Sequence, residues 1–154
     1  MDTKLYVVAG VGVLILGGFL WWGTAPQQEP VVTGPSGAIS GPADPQLKGT
    51  WVWKQTELVS DEVIVPSRGG FTLVFGADTL SGTTDCNSYT AGYELEGEWL
   101  TLGPVGMTKK FCEGSQEGEY ISMLEDSDHY FINTEGELVL VLKFDSGTVI
   151  FTQQ

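Results

Sequence analysis

Few side chains in this 154-residue chain have the type and spacing that chemistry requires. Cys86 and Cys112 are its two cysteines, and His129 is its one histidine. A thiol attacks as the thiolate and needs a base beside it. His129, in the run Asp126-Ser127-Asp128-His129-Tyr130, is the lone imidazole that could serve. The competing reading joins Cys86 to Cys112 in a disulfide, which an even pair in a small exported domain favours and a reducing cytosol does not. Closing a loop of about 27 residues would stabilise the fold by roughly 3.5 kcal/mol in the chain-entropy model, less any strain. His129 then becomes a surface or packing residue at a helix-to-strand junction.

The other polar clusters are weaker. Glu125, Asp126 and Asp128 crowd three carboxylates together, but the run lacks the further oxygens and the sixth-position glycine of a calcium loop. It reads as a solvated turn. Lys109 and Lys110 stand side by side in an acidic chain, either as a solvent-facing strand end or as a small spot for an anion or a partner. Two cysteines and one histidine furnish no zinc finger and no multi-ligand metal cluster. GxSxG, HExxH and phosphate-loop patterns are all missing from the sequence, which removes the common hydrolases. Gly10-Val11-Gly12 follows no strand and is no dinucleotide fingerprint. No cofactor is expected.

Charge narrows the partners. The chain carries 20 Asp+Glu against 7 Lys+Arg, a formal net charge of -13. A phosphate backbone selects basic surfaces, so nucleic acid is excluded as a partner. Adsorption to anionic headgroups is disfavoured for the same reason. Hydrophobic residues at 42% and aromatics at 11% are too abundant for a disordered chain.

Three segments must position these residues. The run from Leu5 to Trp22 has no charge. As a helix it would span roughly 27 Å, near the thickness of a bilayer's hydrocarbon core. Trp21 and Trp22 end it where interfacial aromatics belong. Residues 1–22 are therefore expected to be an uncleaved signal anchor, a transmembrane helix. The rival is a secreted protein released by signal cleavage, against which stand the length of the run and Pro26 after Gly23-Thr24-Ala25. Lys4 precedes the run and no Lys or Arg follows before Lys48. The positive-inside rule then puts the N-terminus in the cytoplasm of a single-pass membrane protein, with residues 23–154 outside. Residues 23–46 hold five of the seven prolines and read as an extended spacer.

Residues 47–154 are the folded domain. Period-two alternation dominates: Trp51 and Trp53 share a face, as do Phe71, Leu73 and Phe75. Tyr89, Ala91, Tyr93 and Leu95 oppose Thr90, Gly92, Glu94 and Glu96. Leu138, Leu140 and Leu142 alternate with valines, a strand that could be covered on both faces, and Val149 and Phe151 close the chain. Turn signals fall between the runs at Gly76-Ala77-Asp78, Glu96-Gly97, Gly103-Pro104, Glu135-Gly136 and Asp145-Ser146-Gly147. Eight or nine short strands joined by tight turns predict a mainly β fold, a small antiparallel barrel or curled sheet. One short helix is expected from Ser115, its cap, to about Asp126, with Tyr120, Met123 and Leu124 as its apolar stripe. Asn87, tolerant of the left-handed conformation, is expected to turn the chain after Cys86. Tyr89 and Tyr93 point together, into the core or onto a binding face.

The block Ser81-Gly82-Thr83-Thr84-Asp85-Cys86-Asn87-Ser88-Tyr89, continuing through Gly92-Tyr93, resembles the G-x-x-x-C-N-x-Y-x-x-x-Y block of the META domain, the HslJ-like family. Leu47-Lys48-Gly49-Thr50-Trp51 is similar to that family's opening strand. Thr108-Lys109-Lys110-Phe111-Cys112 is similar to its T-x-x-x-C block, and Glu117, Tyr120 and Leu124 fall in the helix after it. The resemblance covers residues 47–154. It implies a small barrel-like β domain with one helix, exported or lipid-anchored in bacteria and associated with stress responses, antibiotic tolerance, secretion or motility, without an established catalytic activity. The chain departs from the pattern in having a plain hydrophobic anchor and a proline-rich spacer in place of a lipidated cysteine.

The expectation is thus a membrane-tethered, extracytoplasmic, non-catalytic binding or envelope-stress-protective module. Its partner would be an envelope protein, a peptide or a small ligand, and its membrane contact residues 5–22. The alternatives are an inhibitor of an exported hydrolase such as a lysozyme or a protease, and, behind it, a thiol enzyme using Cys86 or Cys112.

Overall fold

The computed structural model describes residues 44–154. The expected membrane helix and most of the expected spacer lie outside the described residues. Among those described, no helix is long and apolar enough to cross a membrane.

Ten antiparallel strands follow one another: β1 (Thr50–Leu58), β2 (Val63–Ile64), β3 (Thr72–Phe75), β4 (Thr79–Thr83), β5 (Ser88–Glu96), β6 (Trp99–Leu102), β7 (Gly106–Met107), β8 (Ser127–Ile132), β9 (Leu138–Leu142) and β10 (Gly147–Gln153). The pairing order β10-β9-β8-β6-β5-β4-β3-β1 returns to β10 through β1, so eight strands close into a barrel. β2 pairs with β1, and β7 with β5, beside this ring. Closure removes the free edges that an open sheet of this size would expose. The long seam is β1 on β10, from Trp51 opposite Gln153 to Leu58 opposite Gly147, with a bulge at Lys54. The short seam is β6 on β8, registered at Trp99 opposite His129 and reinforced by Tyr130 N–H donating to Glu98 O at 2.9 Å.

The alternation read from the sequence sets the inside of the barrel. Trp51, Trp53, Leu73, Phe75, Tyr89, Ala91, Tyr93, Leu138, Leu140, Leu142, Val149 and Phe151 are all buried. Phe71 is buried too, but lies one residue before β3 rather than within it. The leucines of β9 face the core and Val139 on the other face is also buried, whereas Val141 is only half covered. Trp53 meets Phe71 edge-on at 5.1 Å between ring centroids, and Tyr120 packs against both. The interior is thus filled with side chains, as expected of a barrel of this strand number.

The single α-helix among the described residues, α1, runs from Glu117 to Glu125 and buries Tyr120, Ile121, Met123 and Leu124 against this core. It starts two residues later than the sequence suggests, with Gln116 and not the expected Ser115 at the cap position, while Ser115 Oγ accepts from Glu117 N–H at 3.1 Å and donates to Asp85 at 2.6 Å. Upstream, Pro45–Leu47 form a 3-10 turn whose Leu47 is wholly buried. Asp44 caps that turn by accepting from Gln46 N–H at 2.8 Å. Its other oxygen accepts from Tyr130 Oη, also at 2.8 Å. Among the described residues, contacts of the domain thus reach back to Asp44.

The turn before β10 differs from expectation. Its left-handed residues are Phe144 (φ 60°, ψ 27°) and Asp145 (φ 52°), not Gly147. Gly147 is needed for another reason: a Cβ there would come within 2.5 Å of the Glu57 carbonyl oxygen across the β1–β10 seam. The expected hairpin glycines Gly97 (φ 64°) and Gly136 (φ 79°) do take the positive φ that tight turns demand.

Candidate functional site

The residues singled out by the sequence gather where the β4–β5 turn meets the loop before α1. The turn is built on Thr84. Its N–H donates to Asn87 O at 2.7 Å, and its hydroxyl oxygen accepts from Cys86 N–H at 3.1 Å and Asn87 N–H at 2.8 Å. This side-chain-closed turn fixes the three residues that follow Thr84.

Each of those residues then grips a different part of the opposite loop. Asp85, whose side chain is fully covered, accepts from Ser115 Oγ at 2.6 Å and from Gln116 N–H at 3.1 Å, with Arg68 Nε 3.6 Å away. A carboxylate is well placed there, at the positive end of α1. Cys86 is bonded to Cys112, with an S–S distance of 2.02 Å and Cα atoms 5.9 Å apart. Asn87 is 4% exposed and does not adopt the left-handed conformation expected of it. Its Oδ1 accepts from Lys110 N–H at 2.8 Å and Thr108 Oγ1 at 2.7 Å. Its Nδ2 donates to Lys110 O at 3.1 Å and to the Glu117 carboxylate at 2.9 Å. The amide works through its side chain, not its backbone: it pairs with both backbone groups of Lys110 as a residue of a neighbouring strand would. Glu117 closes the ring by accepting from Thr84 Oγ1 at 2.9 Å.

What this clamp presents is the loop from Thr108 to Ser115. Lys109 and Lys110 lie beyond the end of β7, so they form a loop and not the strand end expected, and both are exposed. Phe111 between Lys110 and Cys112 is 93% exposed. Arg68 adds a third cation at the base of the loop, donating to Glu113 O at 3.3 Å and Gly114 O at 3.2 Å. Sequence reasoning found the two lysines and missed Phe111. An aromatic at an odd register in an aromatic-rich β chain carries no mark that separates it from the core set.

The tyrosines of the motif belong to the core. Tyr89 Oη donates to Thr72 O at 2.7 Å and lies 3.1 Å from Tyr120 Oη. Burial raises the pKa of Tyr89, and raises that of Tyr120 further because its Oη also faces Tyr89. Tyr93 Oη donates to Gly76 O at 2.7 Å. Trp51 Nε1 donates to Leu47 O at 3.0 Å, and Trp53 Nε1 to the buried Thr56 hydroxyl at 3.1 Å. Gly49 enters β1 with φ 118°, a conformation closed to other residues without strain.

The remaining candidates do not converge on a site. His129 sits within β8, its Nδ1 2.6 Å from Asp128 Oδ1 and its ring against Trp99, and both cysteine sulfurs are bonded to each other. Among the described residues, no group of three His, Cys, Asp or Glu side chains could hold a metal ion. Three open clefts of about 300–430 Å³ mark the described surface, one between the β1–β2 hairpin and α1 and two along strands and their turns.

Fold and site together define a small disulfide-closed antiparallel barrel with one helix locked to a motif turn. The sequence profile of the META domain matches residues 45–154, and the chain belongs to that family. Two solved structures share the fold. An NMR structure of a protein from Burkholderia xenovorans superposes with a TM-score of 0.60 at 24% identity, covering 84% of this chain and 97% of that one. A crystal structure of a DUF4847 family protein from Bacteroides vulgatus gives 0.52 at 16% identity, covering 70% of this chain and 95% of that one. No curated protein matches the chain at comparable stringency.

Proposed function

We propose that this chain is a membrane-tethered, extracytoplasmic binding module without catalytic activity. Its contact element is the loop Lys109-Lys110-Phe111. One observation carries the reading: a phenylalanine 93% exposed, flanked by two exposed lysines, on a loop whose base is held by a disulfide and by Asn87. An apolar tip kept in water by a rigid frame is an anchor without its pocket, and rigid presentation lowers the entropy cost of binding. The two lysines select an acidic or carbonyl-rich rim on an envelope protein or peptide. The disulfide fits an oxidising exterior, and the uncharged run 5–22 supplies the tether, with the N-terminus cytoplasmic. Envelope-stress protection is the physiological role this arrangement suits.

The test uses the full chain in its own membrane. A photo-crosslinking residue placed at 111 should give discrete adducts that disappear when Lys109 and Lys110 are changed to Glu, while one placed at Thr101 gives none. Equal labelling from both positions would overturn the loop assignment. Protease added to intact cells should remove the domain, and protection until the cells are opened would invert the topology.

Inhibition of an exported hydrolase is the second reading, favoured by the same stiff loop and by the net charge of -13, which would steer a basic enzyme such as a lysozyme. Lysozyme and protease assays with the purified protein decide it; unchanged rates at low salt would dismiss it.

A further inference from the structure

A second feature lies apart from the Lys109–Phe111 loop. The β1–β2 hairpin and one flank of α1 enclose a groove of about 410 Å³, floored by Leu58, Ile64, Met123 and Leu142. That volume is within the range of small-ligand clefts, about 300–1,000 Å³. Its rim is acidic: Glu119 and Asp126 line it, and the Asp126 side chain is 62% exposed. Lys143 reaches the same rim, its Nζ donating to the Glu125 carbonyl at 2.7 Å and pairing at 4.0 Å with the exposed Asp126 carboxylate, so one cation faces the rim's two carboxylates.

Apolar side chains stand in water around this groove. Val59, which lines it, is 78% exposed, and Val63 on the hairpin is 55% exposed. Between the lining residues Leu142 and Ser146 lies Phe144, 98% exposed and in the left-handed conformation that a bulky side chain ordinarily avoids. The turn is held there from both sides, by Lys143 N–H donating to Asp126 O at 2.7 Å and Val59 N–H donating to Ser146 O at 3.0 Å. Strain in the backbone and an aromatic ring in solvent coincide on a turn whose flanking residues, Leu142 and Ser146, line the groove, although Phe144 itself does not.

We propose that this groove receives a cationic amphipathic peptide segment of a partner, its apolar side chain seated between the hairpin and α1 and its Lys or Arg at Glu119 and Asp126. Charge complementarity selects this occupant. An apolar floor alone would accept any greasy side chain, whereas a carboxylate rim on a chain of net charge -13 attracts a basic segment and repels an acidic one. Two copies that each carry a net charge of -13 repel at long range, which favours a separate basic partner over the Lys109-Lys110-Phe111 loop of a second copy as the occupant.

Full-length protein in nanodiscs of zwitterionic lipid, titrated against a fluorescein-labelled Leu/Lys peptide with empty discs as the blank, tests the proposal by anisotropy. Binding to wild type should weaken about fivefold when Glu119→Gln and Asp126→Asn are combined, and should weaken with added salt. Phe144→Gly should also weaken it, with the near-ultraviolet circular dichroism of the folded core retained. The proposal is overturned if the peptide binds no better than to empty discs, if its Lys→Glu counterpart binds as tightly, or if all variants bind alike. Self-association of the protein that Phe144→Gly abolishes, without peptide binding, would assign the groove to a second copy instead.

Discussion

The hydroxyl of Tyr89 occupies the space that a side chain on Gly82 would need. The two residues face each other across the β4–β5 pair, and a Cβ on Gly82 would lie 2.7 Å from Tyr89 Oη and run into the Thr72 carbonyl oxygen. Gly82 and Tyr89 of the motif are thus one feature, a gap and the group that fills it. Gly82→Ala should destabilise the domain by about 2–3 kcal/mol, since backbone must move to admit the methyl. Tyr89→Phe on its own should lose about 1 kcal/mol for the bond to Thr72. The double variant should not recover the loss, because the carbonyl still obstructs. Urea denaturation of the three variants checks this, and recovery in the double variant would make Tyr89, not Thr72, the obstacle.

The Cys86–Cys112 bond spans 26 positions in sequence, and it joins the motif turn to the loop before α1. Replacing both cysteines by serine should lower stability by about 3 kcal/mol in the chain-entropy model. The polar clamp around Asn87 should keep the native fold in place. A thiol-reactive probe should fail to label the native protein until reductant is added. Immediate labelling would contradict the bond.

Asn87 should matter nearly as much as the disulfide. Truncation to Ala removes a partner of Lys110 N–H and O, of the Thr108 hydroxyl and of the Glu117 carboxylate in a part-buried setting, where Glu117 keeps another bond, from Thr84. The expected loss is about 2–3 kcal/mol. Asn87→Asp keeps the acceptor but sets a second carboxylate against Glu117, so its melting temperature at neutral pH should fall below that of Asn87→Ala. The reverse order would show that the two donor bonds contribute little.

Much of the barrel could be read from alternation. Trp51 and Trp53, or Tyr89 and Tyr93, repeat with the period of a strand and must share a face, although alternation alone left the tyrosines between the core and a binding face. Helix α1 was legible from Tyr120, Met123 and Leu124, because its stripe switches to a three-and-four spacing. The clamp was half legible. Cys86 and Cys112 advertise a bond by their number, but the use of Asp85 as a brace for Ser115 and Gln116 is a tertiary fact with no local signature. Asn87 misled for the same reason: its residue type favours left-handed turns, and only the folded neighbour supplies the backbone N–H and C=O of Lys110 that it pairs with instead. Phe111 and Phe144 were hidden among the aromatics of a chain that uses most of them inside. The turn before β10 was marked by Asp145-Ser146-Gly147, and Asp145 takes the left-handed conformation that its type tolerates, but nothing in residue type predicts the same conformation for Phe144.

Alkali should unfold the domain through its tyrosines. Burial lifts Tyr89 and Tyr120 well above the ordinary value of 10, and burial with the bond to Asp44 lifts Tyr130 to about 12. In the unfolded chain these phenols ionise near pH 10. The unfolded state therefore binds fewer protons above that pH, and stability, full below pH 10, falls as pH rises towards 12 and beyond. Spectrophotometric titration should show these phenolates appearing together with loss of near-ultraviolet dichroism. Ionisation of all the tyrosines near pH 10 with the fold intact would be incompatible with the buried Tyr89–Tyr120 pair.

Phe144 sets stability against binding. A left-handed conformation costs a residue with a Cβ about 1–2 kcal/mol, and its exposed ring recovers nothing by packing in the free protein. Glycine adopts the same dihedrals without that penalty but loses more freedom on folding, so the two effects partly offset. Phe144→Gly should consequently raise stability by about 0.5–1 kcal/mol, while Phe144→Ala, which keeps the Cβ, should leave it within about 0.5 kcal/mol of wild type. Chemical denaturation of the two variants separates strain from side-chain contact. If both are destabilised by more than about 1 kcal/mol, the ring is packing against something in the free domain. Phe144 would then be a structural residue, and the groove beside it would have lost its exposed aromatic.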